Sequence, residues 1–407
     1  MLAQVKQQDE LTLKTLSSEM LNELKGDILP FWMYRAIDIE KGGYYGRINN
    51  DLTVDFSANK GGILNSRILW TFSASYRLFK DAKYLKSAEH AYRFFFEHIW
   101  DKQYGGVFWM VDYEGKVKND RKQAYNLAFA IYGLSEYFKI SGDMDALNKA
   151  KEIFSILETH FKDNANGGYI EAKGRDYSPI SDVRLSMKDK NDIKSMNTHL
   201  HMLEAYTNLM RVWNDDSLKA AQKQLLTVIL DHIVDPEHNR FKLFFDEVWV
   251  CSSKIVSYGH DIEGSWLLRE AADVLGDEIL KKRTYDTTVK MAYEVLEHGI
   301  DLTYGGIYNE EEYGSLDTDK HWWPQAEAVV GFINAYTITR DDAFLKAACQ
   351  SWSFIKNYII DKECGEWFWR CDQAGEPYLG EPKVDPWKCP YHNGRACMEI
   401  YERASKL

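Results

Sequence analysis

The residues best suited to proton-transfer chemistry are five histidines that fall in separate stretches with helical spacing. They are His199, His201, His260, His321 and His392. Imidazole changes its charge near neutral pH, so it can take up and release a proton under physiological conditions. Because these histidines come from different parts of the chain, we predict that the fold gathers several of them around one cavity.

A polar or aromatic side chain recurs at a similar distance after a repeated Asp-containing motif. The six side chains are those of Arg67, Tyr125, Asn197, His260, Trp323 and His392. Equivalent positions of repeated units occupy equivalent places in a repeated fold. We therefore predict that all six surround one central funnel.

Spacing within these stretches predicts which neighbours share a helix face. Asn197 and His201 are four residues apart and lie on one face. Glu263 follows His260 by three residues, so we expect its carboxylate to hold one ring nitrogen and fix the tautomer. Trp266, on the same helix, is expected to close that side of the cavity.

Two kinds of chemistry use these residues only partly. A catalytic divalent metal needs several convergent carboxylates with histidine, and the predicted funnel offers few acids. An inverting glycoside hydrolase needs two acids about 6.5–9.5 Å apart, for which Glu263 and Glu327 are available. Both acids follow histidine or tryptophan residues, which favours a supporting role.

Metal-free proton transfer beside a carbonyl accounts for more of the pattern. Epimerisation needs proton removal from one face of a carbon and delivery to the other. His260 and His392, supplied by different repeats, would meet this need from opposite walls. Arg67 is permanently charged and could stabilise an enediolate oxygen. No Gly-x-Gly-x-x-Gly or P-loop motif occurs, so we expect neither a cofactor nor a metal.

These residues belong to six repeated units of about sixty residues. Each unit contains an aspartate, three further residues and a glycine pair or a degenerate copy of it, followed by aromatic or β-branched residues. The aspartates are Asp38, Asp101, Asp163, Asp235, Asp301 and Asp361. A glycine pair favours a turn, and the residues after it favour a short strand.

Two stretches with helical spacing lie between successive motifs, such as 62–79 with 82–99 and 124–140 with 143–161. Six helix pairs closed into a ring form an all-α (α/α)6 barrel of helix-hairpin repeats with short β-hairpins at one end. We predict one such catalytic domain over residues 1–407. An open superhelix of helical hairpins would show a similar period and is the alternative.

The third unit is the longest, and its extra residues lie in 173–193. A long loop in a compact domain is often functional, so this one is either a lid over the site or a plain surface excursion. Four further histidines share a position at the ends of predicted outer helices, where cations complement the helix dipole. We interpret these as structural: His98, His160, His232 and His298.

Composition argues against several partners. Lys and Arg total 50 against 62 Asp and Glu, giving a net charge of −12, so nucleic acid is not expected and a neutral ligand fits better. No apolar run of about 20 residues and no signal peptide is evident, so we expect no membrane contact. The six cysteines form no Cys-x-x-Cys pair, which favours reduced thiols. We predict a cytoplasmic protein, either a monomer or a weak homodimer.

The sequence resembles the N-acylglucosamine 2-epimerase superfamily and, within it, the cellobiose 2-epimerases. The segments that carry the resemblance span most of the chain. They are Gly-Gly-Tyr-Tyr-Gly (42–46), Asn-Ser-Arg-Ile-Leu-Trp (65–70), Asn-Thr-His-Leu-His-Met-Leu-Glu (197–204), Tyr-Gly-His-Asp-Ile-Glu (258–263), His-Trp-Trp-Pro-Gln-Ala-Glu (321–327) and Trp-Lys-Cys-Pro-Tyr-His-Asn-Gly-Arg (387–395).

The resemblance implies an enzyme that converts the reducing-end glucose of β-1,4-linked disaccharides, such as cellobiose and lactose, to mannose at C2 through a cis-enediolate. The match over 387–392 favours the disaccharide enzymes. N-acylglucosamine 2-epimerase or a mannose-type aldose–ketose isomerase is the alternative on the same fold. An inverting glycoside hydrolase or a non-catalytic sugar-binding protein is the alternative of a different class.

The resemblance also implies roles for single residues. His260 and His392 would move the C2 proton, with Glu263 orienting His260. His201 would assist opening of the pyranose ring.

The implied substrate-binding residues surround these groups. Arg67 and Asn197 would hold the oxygens at C1 and C2, and Tyr125 another hydroxyl. Trp323 and Trp387 would stack on the sugar rings.

Overall fold

The computed structural model describes residues 2–406, with side chains from Asp9 onwards, so Met1 and Leu407 of the predicted domain lie outside the described residues. The chain is mostly helical, which confirms the predicted all-α class. No helix of the described part is both long enough and apolar enough to cross a membrane. The helices are α1 Leu2–Glu23, α2 Leu29–Tyr34, α3 Gly62–Phe79, α4 Ala82–Phe94, α5 Ala124–Ser141, α6 Met144–Ile156, α7 Met196–Met210, α8 Asp216–Val228, α9 Tyr258–Leu275, α10 Glu278–Glu294, α11 Trp322–Thr339, α12 Asp342–Phe354 and α13 His392–Ala404.

Six of these helices form a ring. Helices α3, α5, α7, α9, α11 and α13 each pack against the next, and α13 also contacts α3. The helices α4, α6, α8, α10 and α12 pack outside them, and α1 packs on α13. Each ring helix is therefore backed by an outer helix.

The apolar pattern explains which helices lie inside. Helix α5 is buried at every position from Ala124 to Tyr137, as expected for a helix surrounded on all sides. Helix α4 buries only Tyr84, Ser87, Ala88, Ala91 and Phe94. This spacing of three and four residues gives one buried stripe, which is typical of a helix with one face in solvent.

Short strands join each repeat to the following one. Within the described residues they are β1 Lys60–Gly61, β2 Met110–Val111, β3 Val117–Asn119, β4 Lys122–Gln123, β5 Ala172–Lys173, β6 Lys194–Ser195, β7 Val234–Asp235, β8 Arg240–Phe241, β9 Phe244–Phe245, β10 Ile255–Ser257, β11 Glu310–Glu312, β12 Ser315–Asp317, β13 Lys320–His321 and β14 Arg370–Cys371. Strands β1, β4, β6, β10 and β13 each precede a ring helix and pair antiparallel with a strand of the next repeat, namely β2, β5, β9, β11 and β14. The starts of the ring helices are thereby held at one end of the molecule.

The repeated motif is a turn closed by a buried ion pair. Both glycines of the first copy have positive φ, 80° at Gly42 and 66° at Gly43, as the glycine pair predicts. The motif aspartate then pairs with a lysine that is at most 1% exposed, at 2.7–3.1 Å. The pairs are Asp38–Lys60, Asp101–Lys122, Asp163–Lys194, Asp301–Lys320 and Asp361–Lys383.

The four histidines assigned to outer-helix ends lie in five-residue π-helical turns that follow the outer helices. The predicted helix 82–99, for example, is α4 continued by such a turn to Ile99. His160 stacks on Tyr177 with ring centroids 4.3 Å apart, and His232 stacks on Trp249 at 5.1 Å. These contacts are consistent with a packing role. All six cysteines are free thiols.

Candidate active site

The side chains predicted to share a funnel all lie in the first two turns of the ring helices. They are Arg67 on α3, Tyr125 on α5, Asn197 and His201 on α7, His260 on α9, Trp323 on α11 and His392 on α13. Because the β-strand pairs hold these helix starts at one end, the side chains meet there. Trp387 joins them from the segment before α13, with its ring 6.2 Å from that of Tyr125.

His260 and His392 both lie beside one tryptophan ring. The centroid of the Trp323 ring is 4.7 Å from that of His260 and 5.5 Å from that of His392. The two imidazoles therefore border the same small region, although their residues are 132 positions apart and on different helices. Their assignment to opposite faces of one carbon atom stays a prediction.

Arg67 is held rigidly in the wall of the site. Its side chain is buried, and it donates to the Tyr125 hydroxyl at 2.7 Å and to the Trp387 carbonyl at 3.3 Å. The guanidinium also lies over the rings of Phe129, at 4.1 Å, and Tyr391, at 4.6 Å. Stacking and directed hydrogen bonds restrict the guanidinium to one orientation.

A carboxylate sets the protonation of His392. Its Nδ1 lies 2.7 Å from Glu327 Oε1, and because an ionised carboxylate only accepts, Nδ1 beside it carries the proton and Nε2 keeps the lone pair. Burial, followed by the charges of Arg67 and Arg395, holds the pKa of His392 well below its usual range. His392 is thus a neutral imidazole with a defined tautomer.

His201 is arranged in the same way by a residue on its own helix. Its Nδ1 donates to Glu204 Oε2 at 2.9 Å, three residues further along α7. Burial lowers the pKa of His201 and outweighs the opposing effect of Glu204. Glu204 was part of a motif in the sequence but was given no role, although its spacing from His201 could have identified it.

The expectation that Glu263 orients His260 is wrong. The Nδ1 of His260 instead contacts the Ser257 hydroxyl at 2.8 Å. Glu263 accepts a hydrogen bond from Arg395 at 2.6 Å and lies 3.9 Å from Nε2 of His201. The carboxylate points across the ring of helices because a buried guanidinium is the stronger partner.

Arg395 is the central residue that sequence reasoning missed. Its guanidinium is 1% exposed and bonds to three carboxylates from three other ring helices. It donates to Glu263 and Glu327 at 2.6 Å each, and also to Glu204 and to the hydroxyl of Tyr391. Arg395 follows His392 by three residues on α13, and this shared face is the signal that could have identified it.

Three buried carboxylates around one guanidinium cannot all be ionised at low cost. Burial acts to raise the pKa of Glu204, but Arg395 and His201 lower it to about 2. For Glu263, burial and the neighbouring Glu327 raise the pKa to about 8. Burial also raises the pKa of Glu327. Of the three carboxylates, Glu263 is thus the one whose raised pKa favours a bound proton at neutral pH.

Trp266 does not close the substrate side of the cavity. It is 1% exposed, and its indole donates to Glu327 Oε2 at 3.0 Å. Its ring supports the guanidinium of Arg395 at 4.7 Å and borders a separate cavity of about 670 Å³ near the other ends of the ring helices. It lies two turns into α9, too far along the helix to reach the end where the substrate-side residues gather.

One group of side chains has the spacing of metal ligands. Glu263, Glu327 and His392 each offer an atom within 4.8 Å of the others. Arg395, however, already donates to both carboxylates, and its positive charge would oppose a divalent cation. The donor set is thus occupied by a cation of the chain itself.

Residues of the long loop 173–193 share a cavity with His260. A cavity of about 200 Å³ is lined by Asn197, His260 and Glu310 and by loop residues between 184 and 192. The loop is tied to the rim where the main-chain carbonyl of Val183 accepts from the Gln123 amide at 3.1 Å. Its service as a moving lid stays a prediction.

Two of the five histidines differ from the others. His199 is fully buried, contacts the Ser195 carbonyl through Nδ1 at 2.6 Å and accepts from the Tyr169 main chain at 2.9 Å. Both ring nitrogens are therefore used in packing. His321 precedes α11, where burial lowers its pKa to about 4.

Comparison with known proteins places this geometry in context. The chain matches the sequence model of N-acylglucosamine 2-epimerase (GlcNAc 2-epimerase) over residues 43–396. It is 44% identical to a cellobiose 2-epimerase of Bacteroides fragilis over 386 residues, which are 95% of this chain and 98% of the relative. It is 42% identical to one of Ruminococcus albus over 387 residues, covering 95% and 98%. The solved cellobiose 2-epimerase of Bacillus thermoamylovorans superposes with a TM-score of 0.92 at 42% identity, covering 96% of this chain and all of that one.

Proposed function

We propose a reaction for this chain, which belongs to the N-acylglucosamine 2-epimerase family and is a carbohydrate epimerase. It converts the reducing-end glucose of a β-1,4-linked disaccharide, cellobiose or lactose, to mannose by inverting C2. The observation that carries the proposal is that two imidazoles from different helices, His260 and His392, border the same tryptophan ring, that of Trp323. The reaction needs no metal and no cofactor.

The reaction begins with ring opening, since only the open aldehyde has an acidic C2 proton. His201 is the group proposed for this step, because Glu204 holds its Nδ1 proton and leaves Nε2 free to exchange a proton with the sugar. An imidazole of the pair then takes the proton from C2, and the electron pair moves onto the carbonyl oxygen as the enediolate forms.

The negative charge of the enediolate is stabilised from two sources. Arg67 is already fixed by Tyr125 and the Trp387 carbonyl, so its donors need no reorganisation during the reaction. The amino-terminal ends of six ring helices also meet at this site, and their partial positive charges favour an anion. After rotation about C2–C3, the imidazole pair returns one proton to the other face of C2, which gives the mannose product and leaves both imidazoles neutral again.

Aromatic rings and unused polar atoms support a sugar ligand. Trp323 and Trp387 are only partly buried, and Trp387 lies 5.9 Å from Trp109 in an aromatic wall suited to pyranose faces. Asn197 Oδ1 is buried and has no hydrogen-bond partner among the described residues. A buried acceptor of this kind is costly unless a ligand hydroxyl satisfies it.

The contacts of Glu263 and Glu327 disfavour the hydrolase alternative. An inverting hydrolase needs one free acid and one free base beside the scissile bond. Here both carboxylates are fully buried, and both accept hydrogen bonds from Arg395. The same contacts support a reaction without a bound metal.

We also propose that the ring of helices is a complete (α/α)6 barrel that forms a single catalytic domain. The contact between α13 and α3 supports closure, in contrast to an open superhelix. Location in the cytoplasm and a monomeric or weakly dimeric state stay predictions.

Incubation with cellobiose or lactose in heavy water, followed by NMR, tests the function. Deuterium at C2 with a new mannose-type anomeric signal is the expected result. Release of free glucose would support a hydrolase, ketose as the main product an aldose–ketose isomerase, and preferential turnover of N-acetylglucosamine the N-acyl enzyme. An unchanged sugar with a raised melting temperature would support a binding protein.

Substitution of the two imidazoles tests the assignment. His260→Ala and His392→Ala should each abolish C2 exchange while sugar binding survives, whereas His238→Ala, in an exposed turn, should behave as wild type. Epimerisation retained by either of the first two variants would refute their role.

Treatment with EDTA should have no effect, and a loss of activity that a divalent ion restores would overturn the metal-free reaction.

A further inference from the structure

The third imidazole of the site, His260, has no carboxylate on its ring. We propose that Glu310 acts as the carboxylate partner of His260 through the hydroxyl of Ser257. Glu310 and Ser257 together would then fix which nitrogen of His260 carries the proton. The inference rests on the proposed role of His260 as a base. It makes Glu310 a positioning residue that acts through another side chain.

The strand pairing places these groups in a row. Ser257 is the last residue of β10, and its partner in the antiparallel register with β11 is Glu310. The Ser257 hydroxyl, on a residue 1% exposed, lies 2.8 Å from Nδ1 of His260. On its other side lies Glu310, its partner in the strand register, and the Ser257 hydroxyl is close enough to lower the pKa of the Glu310 carboxyl.

A serine hydroxyl has one proton to donate, and this restricts the row to one direction. An ionised Glu310 can only accept, so the hydroxyl proton goes to Glu310. The Ser257 oxygen must then accept the proton on Nδ1 of His260, and Nε2 keeps its lone pair as a base. Without an acceptor at Glu310, the hydroxyl is free to donate to Nδ1, which moves the proton to Nε2 and removes the base.

The other two imidazoles of the site follow the same rule by direct contact. Nδ1 of His392 donates to Glu327, and Nδ1 of His201 donates to Glu204. Glu263, the nearest carboxylate in sequence to His260, is committed to Arg395. The Ser257–Glu310 pair therefore gives His260 a link to a carboxylate in place of the direct hydrogen bond that the other two imidazoles make.

The surroundings of Glu310 include groups of both signs. Burial and the opposing Asp317 of β12 raise its pKa, whereas the Ser257 hydroxyl and Lys188 of the long loop lower it. Asp189 of the loop acts with Asp317. Both loop residues line the same cavity as Glu310. The charge state of Glu310 therefore depends on the position of the loop as well as on Ser257.

Glu310 also lines the cavity, so direct contact with substrate is the competing explanation. The two roles are separable because a tautomer exists in the free enzyme, before any sugar binds. Nitrogen-15 NMR of labelled histidine distinguishes a protonated from an unprotonated ring nitrogen. The His260 signals are assigned by their disappearance in His260→Ala.

The variants are Glu310→Met and Ser257→Ala, with Glu312→Met as the matched control. Glu312 is on the same strand, two residues away and exposed. The wild type and the control should show His260 protonated at Nδ1 alone, and the first two variants should show a mixture of tautomers. We expect kcat on cellobiose to fall roughly tenfold or more in both variants, with KM changed less than about twofold.

A double variant tests whether the two residues act as one unit. Ser257→Ala with Glu310→Met should lose no more activity than Ser257→Ala alone, because the row is already broken. Unchanged His260 signals in both single variants, or losses that multiply, would overturn the proposal. A raised KM with unchanged kcat in Glu310→Met would instead make Glu310 a substrate contact.

The NMR result and the activity can fail separately. A tautomer that responds as expected in a chain without C2 exchange would sink the proposed function while leaving the positioning role intact. Circular dichroism of each variant checks that the altered NMR signals come from a folded chain. Ser257→Ala removes only a hydroxyl group and is the smaller of the two changes.

Discussion

Replacement of Glu327 by glutamine removes one charge at the centre of the site with little change of shape. One carboxylate oxygen accepts from His392 at 2.7 Å and from Arg395 at 2.6 Å. The other accepts from the indole of Trp266 at 3.0 Å. All three partners are donors, whereas glutamine offers one oxygen and one NH2 group. One of the donors must therefore lose its acceptor.

The charge of Arg395 decides which of the three donors loses its acceptor. An NH2 group that faced the guanidinium would meet a cation that cannot release its proton, so the amide oxygen should stay with Arg395 and His392. The NH2 group then faces Trp266, and this unsatisfied buried donor should lower the free energy of unfolding by about 1–3 kcal/mol. The bond to His392 becomes neutral and roughly half as strong, which should lower kcat about tenfold to a hundredfold.

Urea unfolding and initial rates on cellobiose test these values. In the wild-type background, Trp266→Phe leaves Glu327 Oε2 without its donor. In the Glu327→Gln background, the same substitution removes an indole N–H that has already lost its acceptor. The double variant should thus be less destabilised than the sum of the single variants, by at least about 1 kcal/mol. Glu312→Gln, an exposed acid, should change neither stability nor rate. Destabilisation that adds within about 0.5 kcal/mol, or an unchanged kcat, would refute the reasoning.

Three further predictions follow from the charges. Burial lowers the pKa of His199 to about 4 from an unfolded value near 6.5, so below pH 6.5 the unfolded chain binds the extra proton and stability is lost. Wild type should therefore lose about 2 kcal/mol more than His199→Gln between pH 6.5 and 5 in urea unfolding, and parallel curves would contradict this. Lys60→Met leaves the Asp38 carboxylate buried without its partner and should cost about 3–5 kcal/mol. Lys41→Met, whose ion pair is exposed, should cost less than about 1 kcal/mol, and similar losses in the two variants would count against the buried-pair explanation. Arg67→Lys keeps the positive charge but loses the forked guanidinium donors, so kcat/KM should fall about a hundredfold. A kcat/KM within about threefold of wild type would disprove this.

The secondary structure was largely predictable because its signals are local. The glycine turn, its aspartate and the helical stretches each depend on residues close together in the chain, and the structure has them where the pattern predicts. The buried lysine that pairs with five of the six motif aspartates was not predicted. It lies about twenty or thirty residues further on and shows no local periodicity, as in Asp163–Lys194.

Two pairs with identical spacing show where local reasoning stops. His201 and Glu204 are three residues apart on α7 and form a hydrogen bond of 2.9 Å. His260 and Glu263 have the same spacing on α9, yet Nδ1 of His260 contacts Ser257 instead. Spacing of three residues puts two side chains within reach, but other partners within reach decide which contact forms.

The sequence by itself determined the repeat, the helical class and the set of imidazole, guanidinium and aromatic groups at the starts of the ring helices, since these depend on periodicity along one chain. Only the tertiary structure decided the partners: Arg395 among three carboxylates, Glu327 on His392 and Trp266 behind the site. The residues of each such contact come from different helices, up to 191 positions apart. Their pairing depends on how the helices are rotated and closed into a ring, and no local pattern records that geometry.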